Sequence, residues 1–346
     1  MIPDYVDITK SVKESLNNLL SAESYSQIGV LCDEHTNKHC YPLIKDILPD
    51  HQVLEIQSGE NHKNVDTCLE IWDQLTAKGF DRRSVLLNLG GGVIGDMGGF
   101  CAATYKRGIE FIQIPTTLLA QVDASIGGKL GIDFKGFKNH IGIFKLPARV
   151  IVDPSFLNTL PDRQIISGYA EVIKHGLIHS KNVFNNLISL DLSSNAWLET
   201  IMESIEIKAE IVQSDPFENG RRKLLNFGHT IGHAIETQFL ENGSNELLHG
   251  EAVAIGMICE TWLSTRRLDL PDRDLKAIQE YIIGIYGKVD LQDLNVDDFV
   301  VNLKQDKKNK NNKLLFTLLE EIGEGRYDIS ISPDEAIESL EYYGNL

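Results

Sequence analysis

Four residues in the second half of the chain have the types and spacing of a metal site. His229 and His233 stand at i and i+4 in the segment NFGHTIGHAIE, which places both imidazoles on one face of a helix. His249 begins the next helical pattern, and Glu171 lies within an apolar helical pattern, three residues before Lys174. A catalytic zinc site needs three protein ligands and keeps one position open. The spacing therefore predicts a metal site with one candidate too many, and it leaves open which one is not a ligand.

Each candidate also has an interpretation without a metal. A single histidine on a helix is more often packed or capping than a ligand, and His249 could simply cap the helix that it begins. Glu171 and Lys174 could form an exposed i,i+3 ion pair worth only about 0.3 kcal/mol. The apolar residues on both sides of Glu171 oppose that exposure. The joint occurrence of four candidates favours the metal site.

Six glycines fall within ten residues after the apolar segment SVLLNL. Gly90, Gly92 and Gly95 fit the spacing G-x-G-x-x-G, in which a strand turns tightly into a helix whose first amides approach a phosphate. The dinucleotide form of this motif also has an acid about twenty residues further on, and the segment FIQIPTT in that region has none. Residues 84–100 therefore predict a phosphate-binding loop that differs from the standard Rossmann unit. A tight glycine turn without a ligand is the alternative.

The chain is acidic, yet several basic residues stand in glycine-rich or motif-like segments. Its formal net charge of −17 opposes binding to nucleic acid or to an anionic membrane, because both need a basic surface. The basic residues in question are Arg107, Lys129, Lys138, Lys174, Lys208 and Arg222. We expect them to form a local site for an anionic substrate. A metal together with a nicotinamide cofactor indicates oxidation of an alcohol, with hydride transfer to the cofactor.

Strands and helices alternate through the first half of the chain and must position the glycine-rich loop. Apolar runs predict strands over residues 28–34, 51–57, 84–90, 110–117 and 148–153, and helical spacing predicts helices over 36–47 and 64–78. This alternation is typical of a mostly parallel sheet with helices on both faces. Ligands of such sheets bind beyond the carboxyl ends of the strands. We assign residues 1–155 to this α/β domain.

The second half, residues 156–346, is predicted to be an all-α domain. Helical spacing covers residues 161–178, 197–214, 226–239, 249–265, 272–284 and 333–343. The lysine-rich run 304–313 is expected to be an exposed loop that could supply a substrate contact. The five cysteines are scattered and odd in number, which predicts free thiols. The first residues lack the pattern of a signal peptide, and no segment reaches the ~18 apolar residues of a membrane span, so we expect a cytoplasmic protein.

Several longer motifs resemble the 3-dehydroquinate synthase family of the sugar-phosphate cyclases. They are GGGVIGDMGGFCAATYKRGIEFIQIPTTLLAQVDASIGGKLGI, KNHIG, TLPDRQ, AEVIKHG, RRKLLNFGHTIGHAIE and LHGEAVAIGM. The resemblance implies an N-terminal Rossmann-like domain that binds NAD, and a helical domain that holds a divalent metal, zinc or alternatively cobalt. It also implies a homodimer.

The resemblance assigns a role to each motif residue. The metal ligands it implies are Glu171, His229 and His249, which leaves His233 in the substrate pocket. The substrate phosphate is assigned to Lys129, Asn139, Asn226, His233 and Arg107, with Arg107 reaching the neighbouring subunit's site. The substrate carboxylate is assigned to Arg222 and Lys208, and the hydroxyls are assigned to Asp123 and Lys174. The NAD site is assigned to Asp33, Ser58, Gly59, Glu60, Lys63, Gly91, Gly92, Val93, Ile94, Gly95, Asp96, Thr116, Thr117, Lys129, Lys138, Phe156, Leu157, Asn158 and Thr159.

The implied activity is a lyase reaction of the shikimate pathway, which leads to the aromatic amino acids. It converts 3-deoxy-arabino-heptulosonate 7-phosphate into 3-dehydroquinate and phosphate by transient oxidation with NAD, phosphate elimination, re-reduction, ring opening and aldol closure. Another sugar-phosphate cyclase, a metal-dependent NAD polyol dehydrogenase of the same fold and an inactive scaffold domain are the alternatives. The chain departs from the usual family pattern at Leu130, Gln164 and Pro216. None of these is a proposed metal ligand or anion-binding residue.

Overall fold

The computed structural model describes the chain except for residues 136, 191, 193–196, 243–246 and 306–312. Its contacts divide it into two compact units. Unit 1 comprises Met1–Ile165 and Trp197–Ala209, and unit 2 comprises Ile166–Ala196 and Glu210–Leu346. The sequence prediction of one boundary after residue 155 did not include the return of Trp197–Ala209 to the first unit.

Unit 1 is built on a parallel sheet. Its strands are β1 (Val6–Ile8), β2 (Ile28–Asp33), β3 (Gln52–Ile56), β4 (Val85–Gly90), β5 (Glu110–Pro115), β6 (Lys129–Phe134), β7 (Phe137–Phe144) and β8 (Arg149–Val152). Six of them form one sheet in the order β1-β8-β5-β4-β2-β3, and every pairing in it is parallel. Every residue of β4 is buried, as expected for a central strand covered on both faces. The five strands predicted for this half are confirmed.

Helices cover the two faces of this sheet. They are α1 (Val12–Ala22), α2 (Glu34–His39), α3 (Val65–Ala77) and α4 (Gly92–Thr104). Neighbouring residues of a strand point to opposite faces, so β4 and β5 contribute to two separate cores. Leu87 and Ile112 are in register and belong to one buried cluster, whereas Leu86 and Phe111 belong to the other. The predicted α/β class of this half is confirmed.

The helix predicted over residues 36–47 is wrong in its extent. The α-helix α2 ends at His39, and two single 3-10 turns follow at Tyr41–Leu43 and Lys45–Ile47. Pro42 explains the break, because a proline lacks the amide hydrogen of a helix interior and its ring clashes with the carbonyl four residues earlier.

Strands β6 and β7 form an antiparallel hairpin outside the main sheet. This is the glycine-rich segment for which the sequence predicted no strand. Gly128, just before β6, has φ +64°, a backbone conformation that residues with a Cβ rarely adopt. The hairpin carries Lys129, Lys138 and Asn139, three of the residues assigned to ligands.

The remaining helices belong to unit 2, except that α5 and α7 have parts in both units. They are α5 (Asp162–His179), α6 (Lys181–Ile188), α7 (Trp197–Ser214), α8 (His229–Asn242), α9 (His249–Arg267), α10 (Asp272–Tyr286), α11 (Val296–Gln305) and α12 (Pro333–Gly344). The six helices predicted for this half are confirmed, with shifts at their ends. Helices α6 and α11 were not predicted.

The second unit is mostly helical rather than all-α. Strands β9 (Leu314–Glu321) and β10 (Glu324–Ile331) form an antiparallel hairpin in it, which corrects the prediction. Most of the lysine-rich run 304–313 lies outside the described residues, so its predicted exposure stays a prediction. All five cysteines are buried free thiols, as expected. Among the described residues, no helix has the length and apolarity needed to cross a bilayer.

Candidate functional site

The glycine-rich loop connects β4 to α4 and exposes the start of that helix. The strand ends at Gly90, Gly91 is the N-cap and the helix begins at Gly92, with no side chain bonded to its first amides. The first four amides of a helix have no partner within the helix, and they make its N-terminus an anion site. A Cβ on Gly91 would come within 3.0 Å of the Thr117 side chain. A larger residue at position 91 would thus press on the Thr117 side chain, two residues after the end of β5.

A small cavity that is partly open to solvent lies against this loop. Its lining residues are Gly90, Gly91, Gly92, Gly95, Asp96, Gln113, Pro115, Ala120, Ala124 and Ser125. All of them belong to unit 1. The cavity follows the carboxyl ends of β4 and β5, where parallel sheets of this kind bind their ligands. The predicted phosphate-binding loop therefore borders this small cavity at its helix N-terminus.

Lys63 joins two of the predicted NAD-site segments to Asn139, which was assigned to the substrate phosphate. Its Nζ donates to Asp96 Oδ2 at 2.7 Å and to Asn139 Oδ1 at 2.8 Å, and the residue is only 5% exposed. Burial alone would lower the pKa of Lys63, but the carboxylates of Asp96, Glu60 and Asp133 raise it above its usual value. Burial raises the pKa of Asp96, although Lys63 opposes the shift. The ion pair fixes α4 to the loop after β3.

Asn139 has a strained backbone in this cluster. Its φ is +50°, and its amide donates to Asp133 Oδ1 at 2.7 Å. The amide of Asp133 in turn donates to the carbonyl of Lys63 at 2.7 Å. A non-glycine residue in this conformation is maintained only when its surroundings hold it there. The hairpin thus presents Asn139 in a preset orientation.

The ends of β2 and β3 also meet, and four of the predicted cofactor residues are already engaged in contacts there. The Asp33 carboxylate accepts from the Thr36 amide at 2.7 Å and caps α2. Glu34, which was not predicted, accepts from the Ser58 hydroxyl at 2.6 Å. The Lys138 ammonium lies 3.2 Å from Glu60 Oε1. These contacts order the loop after β3 without any ligand.

The turn at Pro154–Thr159 offers little side-chain surface. Phe156 is 1% exposed and belongs to a hydrophobic core cluster, and Leu157 is buried as well. Any contact of Phe156 or Leu157 with a cofactor would therefore be made by the backbone.

Lys208 and Asp123, which were assigned to different groups of a substrate, are bonded to each other. The Lys208 ammonium lies 2.8 Å from Asp123 Oδ2 and 2.5 Å from the Asp123 carbonyl oxygen. Lys208 is 6% exposed. Both belong to unit 1, as do Lys129 at the start of β6 and Arg107. Arg107 is exposed and has φ +69° in the turn after α4.

The metal candidates of unit 2 converge on one oxygen of Glu171. The imidazole Nε2 atoms of His229 and His249 lie 3.3 Å and 3.4 Å from Glu171 Oε1. The other oxygen, Oε2, contacts the Lys174 ammonium. Three helices supply these residues: α5 supplies Glu171, α8 supplies His229 and α9 supplies His249. The sequence prediction that these residues come together is confirmed as geometry.

The donor set fits a divalent ion such as zinc. Donor atoms about 2.0–2.1 Å from a tetrahedral ion lie ~3.3 Å apart, and both carboxylate–imidazole distances match this value. The Glu171 side chain is 1% exposed, and its oxygens make no well-formed hydrogen bond within the described part of the chain. A buried carboxylate without strong hydrogen bonds is stabilised by a bound cation. The residues present therefore fit a metal ion.

Electrostatics favour positive charge at this point. Burial would raise the pKa of Glu171, but Lys174 and His229 hold it well below its usual value. Burial opposes protonation of His249, yet the carboxylates of Glu236 and Glu171 raise the pKa of its imidazole to about 10. Burial lowers the pKa of His229, although Glu171 opposes the shift. A cation between these groups, whether a proton or a metal ion, is stabilised.

His233 lies beside the same cluster. Its ring centroid is 5.1 Å from that of His229 and 5.6 Å from that of His249. One nitrogen from each of the three histidines could also share an ion, because these atoms lie within 4.8 Å of one another. The geometry brings all four candidates of the sequence analysis together. It does not by itself choose which one is not a ligand.

Arg222 and Asn226 lie in a 3-10 helix, Arg221–Asn226, and both are contacted by acidic residues of the preceding loop. The Asp215 carboxylate accepts the amides of Gly220 at 2.7 Å and Arg222 at 3.1 Å. The Arg222 guanidinium is 1% exposed and donates to the Pro216 carbonyl at 2.6 Å. Glu218 has φ +60°, and its carboxylate accepts a hydrogen bond from the side-chain amide of Asn226 at 2.8 Å. Pro216, where the chain departs from the usual family pattern, thus contacts Arg222 through its backbone carbonyl.

Sequence reasoning missed three carboxylates of unit 2. Glu236 contacts His249, Glu260 accepts the amides around His229, and Glu218 holds Asn226. The spacing of Glu236, seven residues after His229 on the same helix, was a signal that could have found it. The other two contacts depend on tertiary structure. Of the other departures, Leu130 is buried in a core cluster and Gln164 is exposed.

Two family profiles match the chain. The profile described as 3-dehydroquinate synthase N-terminal matches residues 53–167, and that described as 3-dehydroquinate synthase C-terminal matches residues 168–309. A 3-dehydroquinate synthase of Parabacteroides distasonis is 41% identical over 345 residues, which are 98% of this chain and 97% of that protein.

Two solved structures resemble the fold along nearly the whole chain. A 2-epi-5-epi-valiolone synthase from Streptomyces hygroscopicus, with NAD⁺ and Zn²⁺ bound, has a TM-score of 0.88 at 25% identity and covers 100% of this chain and 98% of its own. A 2-deoxy-scyllo-inosose synthase, complexed with carbaglucose-6-phosphate, NAD⁺ and Co²⁺, has a TM-score of 0.82 at 26% identity and covers 97% and 96%.

Proposed function

Because the chain belongs to the 3-dehydroquinate synthase family, we propose that it converts 3-deoxy-arabino-heptulosonate 7-phosphate into 3-dehydroquinate and phosphate. The reaction is that of a carbon–oxygen lyase that acts on phosphate. The observation that carries the proposal is the convergence of His229 and His249 on one oxygen of Glu171, the three residues to which the resemblance assigns the metal.

NAD and a divalent metal are the proposed cofactors. The two related cyclases were solved with NAD⁺ and with Zn²⁺ or Co²⁺, which supports both groups. We assign the metal to Glu171, His229 and His249, and the dinucleotide to the glycine-rich loop of unit 1 with the Lys63–Asp96 pair. The cavity beside Gly91 and Gly92 supports the assignment of the NAD phosphates to the α4 N-terminus.

Each cofactor supplies a distinct part of the chemistry: when bound, the metal acidifies a substrate hydroxyl, and NAD⁺ accepts a hydride that NADH later returns. The protein's own residues bind and orient the substrate. We assign its carboxylate to Arg222 and Lys208, and its hydroxyls to Lys174 and Asp123. Lys174 contacts Glu171 Oε2, so its ammonium is already oriented beside the proposed metal ligand.

Phosphate elimination needs positive charge and hydrogen-bond donors around the departing group. We assign this role to Lys129, Asn139, Asn226, His233 and Arg107. Asn139 is preset by its contact with Lys63, and Asn226 by its contact with Glu218. Such prior ordering lowers the reorganisation needed when the phosphate begins to leave. His233, next to both metal-ligand candidates, is the histidine that we assign to the phosphate and to proton transfer.

Phosphate release tests the reaction. Purified protein is incubated with the heptulosonate phosphate, catalytic NAD⁺ and Zn²⁺, while phosphate and the absorbance of NADH are followed. We expect one phosphate per substrate and no net NADH. Conversion of all the added NAD⁺ into NADH, with no release of phosphate, would instead identify a polyol dehydrogenase. Phosphate release from glucose 6-phosphate, which lacks the carboxylate, would point to another cyclase.

Two histidine variants test the ligand assignment. His249→Ala should lose bound metal, whereas His233→Ala should keep the metal and lose turnover. Metal content is measured by elemental analysis after gel filtration. Equal metal loss in both variants would overturn the ligand set and leave the reaction itself untouched.

We further propose a cytoplasmic homodimer. The support is the resemblance, which assigns Arg107 to the neighbouring subunit's phosphate site, and the exposure of Arg107 in unit 1. Light scattering of the purified protein tests the dimer, and a monomer that is fully active would contradict it.

A further inference from the structure

We propose that Glu236 is a positioning residue that fixes the imidazole of His249 so that its Nε2 faces the metal site. The proposal rests on the ligand set proposed above. Glu236 Oε2 lies 3.2 Å from His249 Nδ1, while His249 Nε2 lies 3.4 Å from Glu171 Oε1. The two ring nitrogens therefore have separate partners on opposite sides of the ring.

The two histidine ligands are oriented by different groups. His229 Nδ1 lies 3.0 Å from the Phe227 carbonyl, two residues earlier in the chain. His249 is the first residue of α9 and its ring is held by a side chain of α8. A second hydrogen bond of this kind selects which ring nitrogen carries the proton and raises the basicity of the other. For His229 the backbone has this role, and for His249 Glu236 has it.

Glu236 is a buried residue of α8, the helix that also carries His229. It is 3% exposed and lies seven residues after His229, so both side chains fall on one face of α8. The His249 side chain is 26% exposed and is thus the less enclosed of the two imidazoles, whereas that of His229 is 11% exposed. A ring with more open surface depends more on a hydrogen bond for its orientation. Glu236 is not itself placed as a ligand, because it contacts the nitrogen that faces away from Glu171.

Metal affinity in the absence of substrate and NAD is the direct test. Zinc dissociation constants are measured by competition with a chromophoric chelator for the full chain and its variants. Glu236→Ala should weaken zinc binding by about 10- to 100-fold, the usual effect of removing such a partner. Glu236→Gln keeps an acceptor of the same length and should lose less. The absorption spectrum of the Co²⁺ form should change in Glu236→Ala, because the orientation of one ligand changes.

A matched control separates positioning from general stability. Gln238 is buried on the same helix and bonds the backbone of Asn295 at both its amide atoms, away from the ligands. Gln238→Ala should lower the melting temperature and leave zinc affinity unchanged. If the zinc affinity and the Co²⁺ spectrum of folded Glu236→Ala and Glu236→Gln equal those of the unmodified protein, the proposal is wrong. Retention of zinc by Glu171→Gln would instead refute the ligand set.

Discussion

Replacing Glu260 should loosen the turn that carries His229. Glu260 lies on α9 and is fully buried, and its carboxylate accepts the amides of Gly228 at 2.6 Å, Thr230 at 3.1 Å and Ile231 at 3.2 Å. These amides are among those that the start of α8 leaves without helical partners. A side chain from the neighbouring helix thus caps α8 on both sides of His229.

The expected magnitude follows from those three bonds. Each hydrogen bond to a buried charge contributes about 1.5–3 kcal/mol, and bonds that share one carboxylate do not add fully. Glu260→Ala should therefore lower the free energy of unfolding of unit 2 by about 3–5 kcal/mol. Glu260→Gln keeps one accepting oxygen and should cost about 2–3 kcal/mol. The loosened turn should also weaken zinc binding by about tenfold, because His229 loses its fixed position.

Hydrogen exchange and urea unfolding measure the two consequences. The amides of Gly228, Thr230 and Ile231 should exchange faster in Glu260→Gln, by about tenfold for each 1.4 kcal/mol of lost protection. Glu280→Gln makes the same charge change at an exposed position of α10 and should alter neither quantity. Unchanged exchange at these amides, with a free energy of unfolding within about 0.5 kcal/mol of the unmodified protein, would refute the capping role.

Three further predictions concern other parts of the chain. Gly98→Ala should lower stability by about 2–4 kcal/mol, because its Cβ would overlap the buried Asn88 side chain of β4. Gly284→Ala in α10 has open space around it and should raise stability by about 0.5–1 kcal/mol, and thermal unfolding compares the two variants. Lys63→Met should lower stability by about 2–4 kcal/mol, because it leaves the partly buried Asp96 carboxylate without its ammonium partner, and adding Asp96→Asn should recover part of the loss; a double variant less stable than Lys63→Met would contradict this. Burial would raise the pKa of Asp215, but hydrogen bonds from backbone amides of its own loop lower it. The carboxylate therefore stabilises the fold above about pH 4, and this stabilisation is lost as the pH falls further. Asp215→Asn should make stability fall less steeply with acid, and an unaltered pH dependence would contradict the prediction.

Local patterns predicted the parts of the fold in which neighbouring residues decide the structure. The strand, glycine turn and helix from Val85 to Thr104 appear where the motif placed them, and α7 has its predicted bounds, Trp197–Ser214. The hairpin of β9 and β10 was missed because β9 is a nearly continuous apolar run, which periodicity cannot distinguish from a buried helix. The turn between the two strands does contain a sequence signal for a hairpin, the glycine at position 323. Gly323 adopts φ +101° between the paired residues Glu321 and Glu324.

The residues of the candidate site that stand in sequence motifs could be predicted. Glu171, His229 and His249 come from three separate segments, and the resemblance grouped them before any geometry was known. Of the carboxylates that orient them, Glu236 carries a spacing signal on α8, whereas Glu260 carries none. Glu260 lies more than twenty-five residues from the amides that it caps, and only the packing of α9 on α8 brings them together. Second partners of this kind belong to tertiary structure rather than to a motif.

An acidic protein can bind a doubly anionic substrate if its cations are buried and paired in advance. Lys63, Lys174, Lys208 and Arg222 are each at most 6% exposed in a chain of net charge −17. Exposed cations on such a surface would be attracted to many carboxylates and screened by salt. Each of the three lysines is in ion-pair contact with a carboxylate: Lys63 with Asp96, Lys174 with Glu171 and Lys208 with Asp123. Arg222 is held by the Pro216 carbonyl. Within each unit, an anion beside one of these cations would meet a group that is already oriented, and little water would screen the charge of that group. The net charge thus bears on extended anionic partners such as nucleic acid, whereas for a small anionic ligand the burial of individual cations is the more informative property.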